Sequence, residues 1–218
     1  MKASPIKQKK VWDLPIRLIH WTLVILITLL WWTAENEQMD NHRLAGYGVL
    51  ALLVFRLYWG FAGSNTARFS HFVKTPNTAW QYGQGLCKSE QRNIIGHNPL
   101  GGYSVVLLLA LLIIQVGLGL FAIDVDGWEA GPLNHYVSFE AGRLCATWHE
   151  YIFNALLAWI VLHVVAVMYY VFVRKQNIIK AMFTGNSSDT KEGDFQQARP
   201  VHYYIALGLT MLVLWWFI

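Results

Sequence analysis

Residues 148–173 read WHEYIFNALLAWIVLHVVAVMYYVFV, an apolar run carrying two histidines, His149 and His163, fourteen positions apart. At about 100° per residue, fourteen residues return to nearly the same helical face, and at about 1.5 Å per residue they stand roughly 21 Å apart along the axis. The run is long enough to cross a hydrocarbon core. Ionisable groups are costly there and by default mark function. Two same-face imidazoles at different depths predict two stacked cofactors, each needing one more ligand from another helix.

The rest of the chain supplies those helices. Of 218 residues, 55% are hydrophobic and 14% charged, with 11 Trp. Five mainly apolar segments reach spanning length: 16–33, 44–62, 101–123, 151–173 and 203–218. Trp31, Trp32, Trp59, Trp148, Trp215 and Trp216 fall near predicted span ends, as an interfacial aromatic belt would place them. Basic residues sort by loop. Lys2, Lys7, Lys9, Lys10 and Arg17 precede the first span; Arg68, Lys74, Lys88 and Arg92 follow the second; Arg174, Lys175, Lys180, Lys191 and Arg199 follow the fourth. The other two loops hold only Arg43 and Arg143 against eight acidic residues. That asymmetry predicts a cytoplasmic N-terminus, a periplasmic C-terminus and a multi-pass protein of a bacterial inner membrane. The net charge of +4 is then topological and gives no sign of nucleic-acid binding. The basic leader is not expected to be cleaved, because Trp32 and Ala34 make no small-x-small site. Cys87 and Cys145 are expected on opposite faces of the membrane, unable to bridge. With no CxxC or CxxCH, iron–sulfur clusters and covalently attached haem are not expected. Residues 185–199 read as a flexible polar linker.

Topology pairs the histidines. His42 and His149 lie toward the outside, His20 and His163 toward the inside, and facing helices in a bundle can present such pairs to haem iron. The prediction is two non-covalent haem b groups, each with two histidine ligands. Equal depth for His20 and His163 requires the first helix to begin nearer Asp13. Arg56, fourteen residues after His42, sits inside a span and is expected to pair with an inner-haem propionate. Arg17 is a second candidate for that haem, and Arg43 and Arg143 for the outer one; for these three, snorkelling to headgroups is the alternative. His71, His135 and His202 read as ordinary interfacial residues. His97 and Asn98 open Gly96-His97-Asn98-Pro99-Leu100-Gly101-Gly102, a turn into the third span. There, exposed backbone N–H groups with the Asn98 amide could hold a quinone carbonyl, with His97 passing protons. The alternative is an Asn98 helix cap.

At these residues the chain resembles the prokaryotic cytochrome b(561) superfamily, with similarity to nickel–iron hydrogenase cytochrome b subunits and to formate dehydrogenase gamma subunits. The matching stretches are PIRLIHW (15–21), HRLAG (42–46), FRLYWG (55–60), GHNPLGG (96–102), WHEY (148–151) and LHVVAV (162–167), within residues 11–175. The resemblance implies a four-helix bundle with two b haems, His42 and His149 holding the outer one, His20 and His163 the inner. It also implies a quinone near Asn98 and the Gly101–Gly102 region. The fifth span lies outside it.

The expected fold is therefore all-α and integral to the membrane: a four-helix transmembrane haem-binding bundle over 1–175, a cytoplasmic linker over 176–200, and an additional helix over 201–218. The expected role is electron transfer between the quinone pool and a periplasmic c-type cytochrome or dehydrogenase subunit, as the electron-transfer subunit of a quinone-linked oxidoreductase. Acidic residues on the outer loops (Glu35, Glu37, Asp40, Asp124, Asp126, Glu129, Glu140) suit a basic partner. Two rivals are a partner-independent superoxide or ferric oxidoreductase and a non-redox membrane anchor.

Overall fold

A computed structural model describes residues 9–85, 96–187 and 195–218. Five of its helices are long and apolar enough to cross a membrane. They are α1 (Leu14–Glu35), α2 (Met39–Ala62), α5 (Pro99–Phe121), α6 (Phe139–Met168) and α8 (Pro200–Phe217). Short helices α3 (Phe69–Phe72), α4 (Pro76–Gly85) and α7 (Ile178–Thr184) lie between them. The protein is a multi-pass helical membrane protein.

Local chemistry sets the helix starts. Asp13 caps α1 by accepting from Ile16 N at 2.9 Å, and Pro15 follows where a missing N–H costs nothing. The first helix thus begins where equal histidine depth required. Asn98 caps α5 in the same way, with Pro99 behind it. Ser138 caps α6 by accepting from Ala141 N at 3.2 Å, so this helix starts well before the expected 151. Its Phe139–Val173 run is 35 residues, about 52 Å at 1.5 Å per residue, longer than the roughly 30 Å hydrocarbon core. A π-helical turn, Tyr169–Val173, ends it.

Close backbone packing joins α1 to α2, α2 to α5, α5 to α6, and α8 to α2. Two apolar clusters fill the interior. Val49, Leu53, Leu109, Leu112 and Leu156 form the first, drawn from α2, α5 and α6. The second gathers Trp12, Ile16, Ile19, Phe55, Trp59, Ala181 and Ala206, and so ties α1, α2, α7 and α8 together. Trp59 belongs here rather than to an aromatic belt: it is fully buried and donates from Nε1 to Asp13 Oδ2 at 2.8 Å. Trp31, Trp32, Trp148, Trp215 and Trp216 are exposed.

The stretch read as a linker, 176–200, is structured over much of its described part. It contains α7, ended by Gly185 in the left-handed conformation (φ 80°), which favours glycine. The Gly185 carbonyl accepts from Val11 N and Trp12 N, and Lys9–Lys10 pairs antiparallel with Asn186–Ser187 in a two-stranded ladder beside the helices. Gln196 N donates to Asn65 Oδ1 at 3.1 Å. Cys145 is a free thiol; Cys87, Lys88, Arg92 and Lys191 lie outside the described residues.

Candidate functional site: two histidine pairs in one bundle

The bundle has an acidic end, with the α1–α2 and α5–α6 connections, and a basic end, with the chain's other loops. His42, in the first turn of α2, and His149 of α6 meet near the acidic end, their ring centroids 6.2 Å apart. Each ring is oriented by a backbone carbonyl: His42 Nδ1 donates to Leu30 O at 3.0 Å, and His149 Nδ1 to Gln115 O at 2.9 Å. Both protons are thereby on Nδ1, which leaves both Nε2 lone pairs for a metal. Gly119 makes room, since a Cβ there would stand 2.9 Å from His149 Cε1. Gly46, one turn after His42, has open space where a Cβ would be.

These features fit a haem. Two imidazoles on one iron, with metal–nitrogen bonds of about 2 Å and rings of about 1.1 Å radius, need centroids roughly 6 Å apart. Among the described residues no group of three or more His, Cys, Asp or Glu could hold a bare metal ion. A porphyrin supplies four nitrogens of its own, so two histidines complete its iron.

At the basic end, His20 of α1 and His163 of α6 lie within electrostatic reach of one another and of His97. Several buried polar atoms here lack a hydrogen-bond partner among the described residues: Arg17 Nε, His20 Nδ1, Arg56 Nη1, Arg68 Nε and His97 Nδ1. Orphaned cationic donors are expensive to bury. Together they suit a ligand bearing carboxylates, as haem does. Arg56 is 5% exposed, sits over the Phe69 ring at 5.0 Å, and has Asp13 as its charged neighbour. Arg17 directs Nη1 to the Phe183 carbonyl at the end of α7.

The structure gives Arg43 other partners than the expected propionate. Its two Nη atoms bind Asp40 and Glu129, each at 2.5 Å, tying the two acidic loops together. Arg143 donates to Ile123 O at 2.7 Å. The turn before α5 also differs from expectation. Gly101 N donates to Asn98 Oδ1 at 2.7 Å and Gly102 N to Asn98 O at 2.8 Å, so neither backbone donor is free and the helix-cap reading of Asn98 holds. Gly102 packs on Phe72, whose carbonyl a Cβ would meet at 2.7 Å. His97 is wedged between Trp12 and Phe72, each ring 4.7 Å away. Burial, then the Arg56 charge, then His163 and His20, push its pKa down to about 3. It is neutral near pH 7. His202 shares a hydrogen bond with Tyr58 at 2.8 Å.

Two residues of this region escaped the reading of the sequence. Asp13 is buried (1% exposed) beside Arg56, and its signal was the cap pattern Asp13-Leu14-Pro15. Tyr170 takes part in a side-chain network with Asn98 and Tyr82. Its signal was the heptad 149, 156, 163, 170, whose second member, Leu156, is 2% exposed.

Residues 11–185 match the sequence profile of the family described as "Prokaryotic cytochrome b561". A "Probable Ni/Fe-hydrogenase B-type cytochrome subunit" of Azotobacter vinelandii is 26% identical over 80% of this chain and 86% of its own length. One of the same description from Rhizobium leguminosarum bv. viciae is 25% identical over 84% and 90%. Another, from Cupriavidus necator, is 22% identical over 84% and 88%. No solved structure matches the chain.

Proposed function

The chain belongs to the prokaryotic cytochrome b561 family of membrane electron carriers, and from that premise we propose that it carries electrons through two b haems between a membrane quinone and a redox protein on the opposite side. His42 and His149 hold one haem, His20 and His163 the other. Each haem supplies a one-electron ferric/ferrous couple. The observation that carries the reading is the placement of His42 and His149 with ring centroids 6.2 Å apart, each with its Nδ1 tied to a carbonyl. The orphaned donors at the basic end support the second haem.

The protein's own groups then divide the work. Arg56, with Arg17, neutralises carboxylates of the basic-end haem, and Asp13 is a nearby negative charge. Arg143 serves the acidic-end haem, while Arg43 braces the two loops above it. The loop asymmetry of basic residues supports an inner-membrane protein with its basic end in the cytoplasm. Quinone chemistry belongs at that end, around His97, Asn98 and the Gly101–Gly102 turn, where each quinone reduced takes up two electrons and two protons. The acidic end faces the periplasmic partner. The relatives' description points to a hydrogenase-type dehydrogenase subunit as that partner, with a basic c-type cytochrome as the other candidate.

The test is a dithionite-reduced minus oxidised spectrum of the purified chain with a pyridine haemochrome count. Two b haems per chain are expected; one or none overturns the reading.

A further inference from the structure

Helix α4 (Pro76–Gly85) is too short to span a membrane, and it packs on α5. Between the two helices runs an open groove of about 530 Å³, lined by Pro76, Ala79, Gly83, Leu100 and Tyr103. Its lining is almost wholly apolar. Leu100 and Tyr103 belong to the first turns of α5, so the groove opens where that span enters the membrane. Trp80, on its rim, is 69% exposed, as suits an indole at the headgroup level.

Basic groups gather at one end of this groove. The Tyr103 hydroxyl donates to the Lys74 carbonyl at 2.7 Å, which fixes Lys74 beside α5, two residues before Pro76. His71 of α3 lies within electrostatic reach of both Lys74 and Arg68. Residues 41–85 and 96–121, which build both walls, contain no Asp or Glu. Among the described residues, the carboxylate salt bridges belong to Arg43, and Lys74 has none. Cations without a counter-ion at a membrane entry attract anionic lipid, and an apolar groove beside them takes an acyl chain. A free phosphate would leave the groove unfilled. A zwitterionic lipid would bring its own amine toward the cations.

We infer that the α4–α5 groove binds one anionic phospholipid of the phosphatidylglycerol type, its acyl chain against Ala79, Gly83 and Leu100 and its phosphate beside Lys74 and His71. The lipid holds α4 against α5 at the basic end. The site rests on the membrane assignment alone and is independent of the haem and quinone readings.

The test is native mass spectrometry of the purified full chain in neutral detergent, titrated with phosphatidylglycerol or with phosphatidylethanolamine of the same acyl chains. The first phosphatidylglycerol should bind well before any phosphatidylethanolamine. K74Q should weaken that first binding about fivefold, the loss expected for one basic residue near an anionic headgroup, and K74R should restore it. G83L should weaken it from the apolar side. A Cβ at Gly83 would stand 3.8 Å from Leu100 Cδ1, an ordinary contact, so the backbone accepts a side chain whose far end fills the groove. K180Q, on α7, should bind as the parent does. Should G83L fail to fold, K74Q against K74R and K180Q carries the test. Equal retention of the two lipids by the parent overturns the proposal. So does unchanged binding in K74Q, and so does an equal loss in K74Q and K180Q, which would mark a diffuse surface charge.

Discussion

At the acidic end, His42 and His149 each spend an Nδ1 proton on a main-chain carbonyl, at 3.0 and 2.9 Å. At the basic end, His20 Nδ1 is buried with no partner among the described residues, while a buried arginine, Arg56, stands nearby. Helix backbone orients the first pair of rings; the second is set by side-chain packing, such as the Trp21 ring 5.0 Å from His20. An imidazole whose Nδ1–H is hydrogen-bonded is a more basic ligand and favours ferric iron. A neighbouring cation favours ferrous iron. Both effects predict a higher midpoint potential at the basic end, and hence a downhill path from the acidic-end partner toward quinone.

That contrast can be broken most severely with H163A. It should remove the basic-end haem and leave the other, halving the haemochrome count; two haems at full occupancy would refute the ligand assignment. Next in size is R56M, which deletes the cation. Redox titration should show the higher of two midpoints falling by about 60 mV, the one-electron equivalent of roughly 1.4 kcal/mol, while the lower one holds. A uniform shift of both would mean that Arg56 does not distinguish the ends. G119A should act at the other end alone. Its Cβ would crowd His149, and overpacking of this kind costs about 1–3 kcal/mol. The low-potential haem should be lost at a lower temperature, with the high-potential haem unaffected.

The smallest effect is a pH dependence confined to the basic end. His97 stays neutral in the folded chain down to about pH 3, whereas in an unfolded chain it takes up a proton near its ordinary value of 6.5. Acid therefore favours unfolding throughout that window, and the stabilising contribution is complete above it. The temperature at which the basic-end haem is lost should drop between pH 7 and pH 5, and drop less in H97N. Equal slopes would show that His97 is not the group responsible.

Much of this contrast was legible from spacing alone. The apolar runs announced five spans, and fourteen-residue intervals aligned His149 with His163 and His42 with Arg56. Period and hydropathy report burial, however, and are silent on which polar partner a side chain finds. Arg43 was expected at a propionate or a headgroup, and spacing could not show its contacts with Asp40 and Glu129. Trp59 looked interfacial because it sits near a span end, and only the folded position of Asp13 shows why it is interior. The early start of α6 was hidden because Glu140 and Arg143 interrupt the apolar pattern in a stretch that projects past the hydrocarbon zone. Tyr170 was hidden for the opposite reason: a tyrosine at a helix end reads as a membrane anchor.

One continuous helix, α6, carries both His149 and His163, and it thereby acts as a ruler. The spacing of His149 and His163 follows from covalent rise along one rod, and the packing of separate parts hardly enters. Insertion of a single alanine between them would swing one imidazole by about 100° and abolish a site, whereas a seven-residue insertion would keep both on the same face and simply lengthen the gap by about 10 Å. Evolution can retune the loops at either end, and the partners they meet, without recalibrating the distance an electron must cover in between.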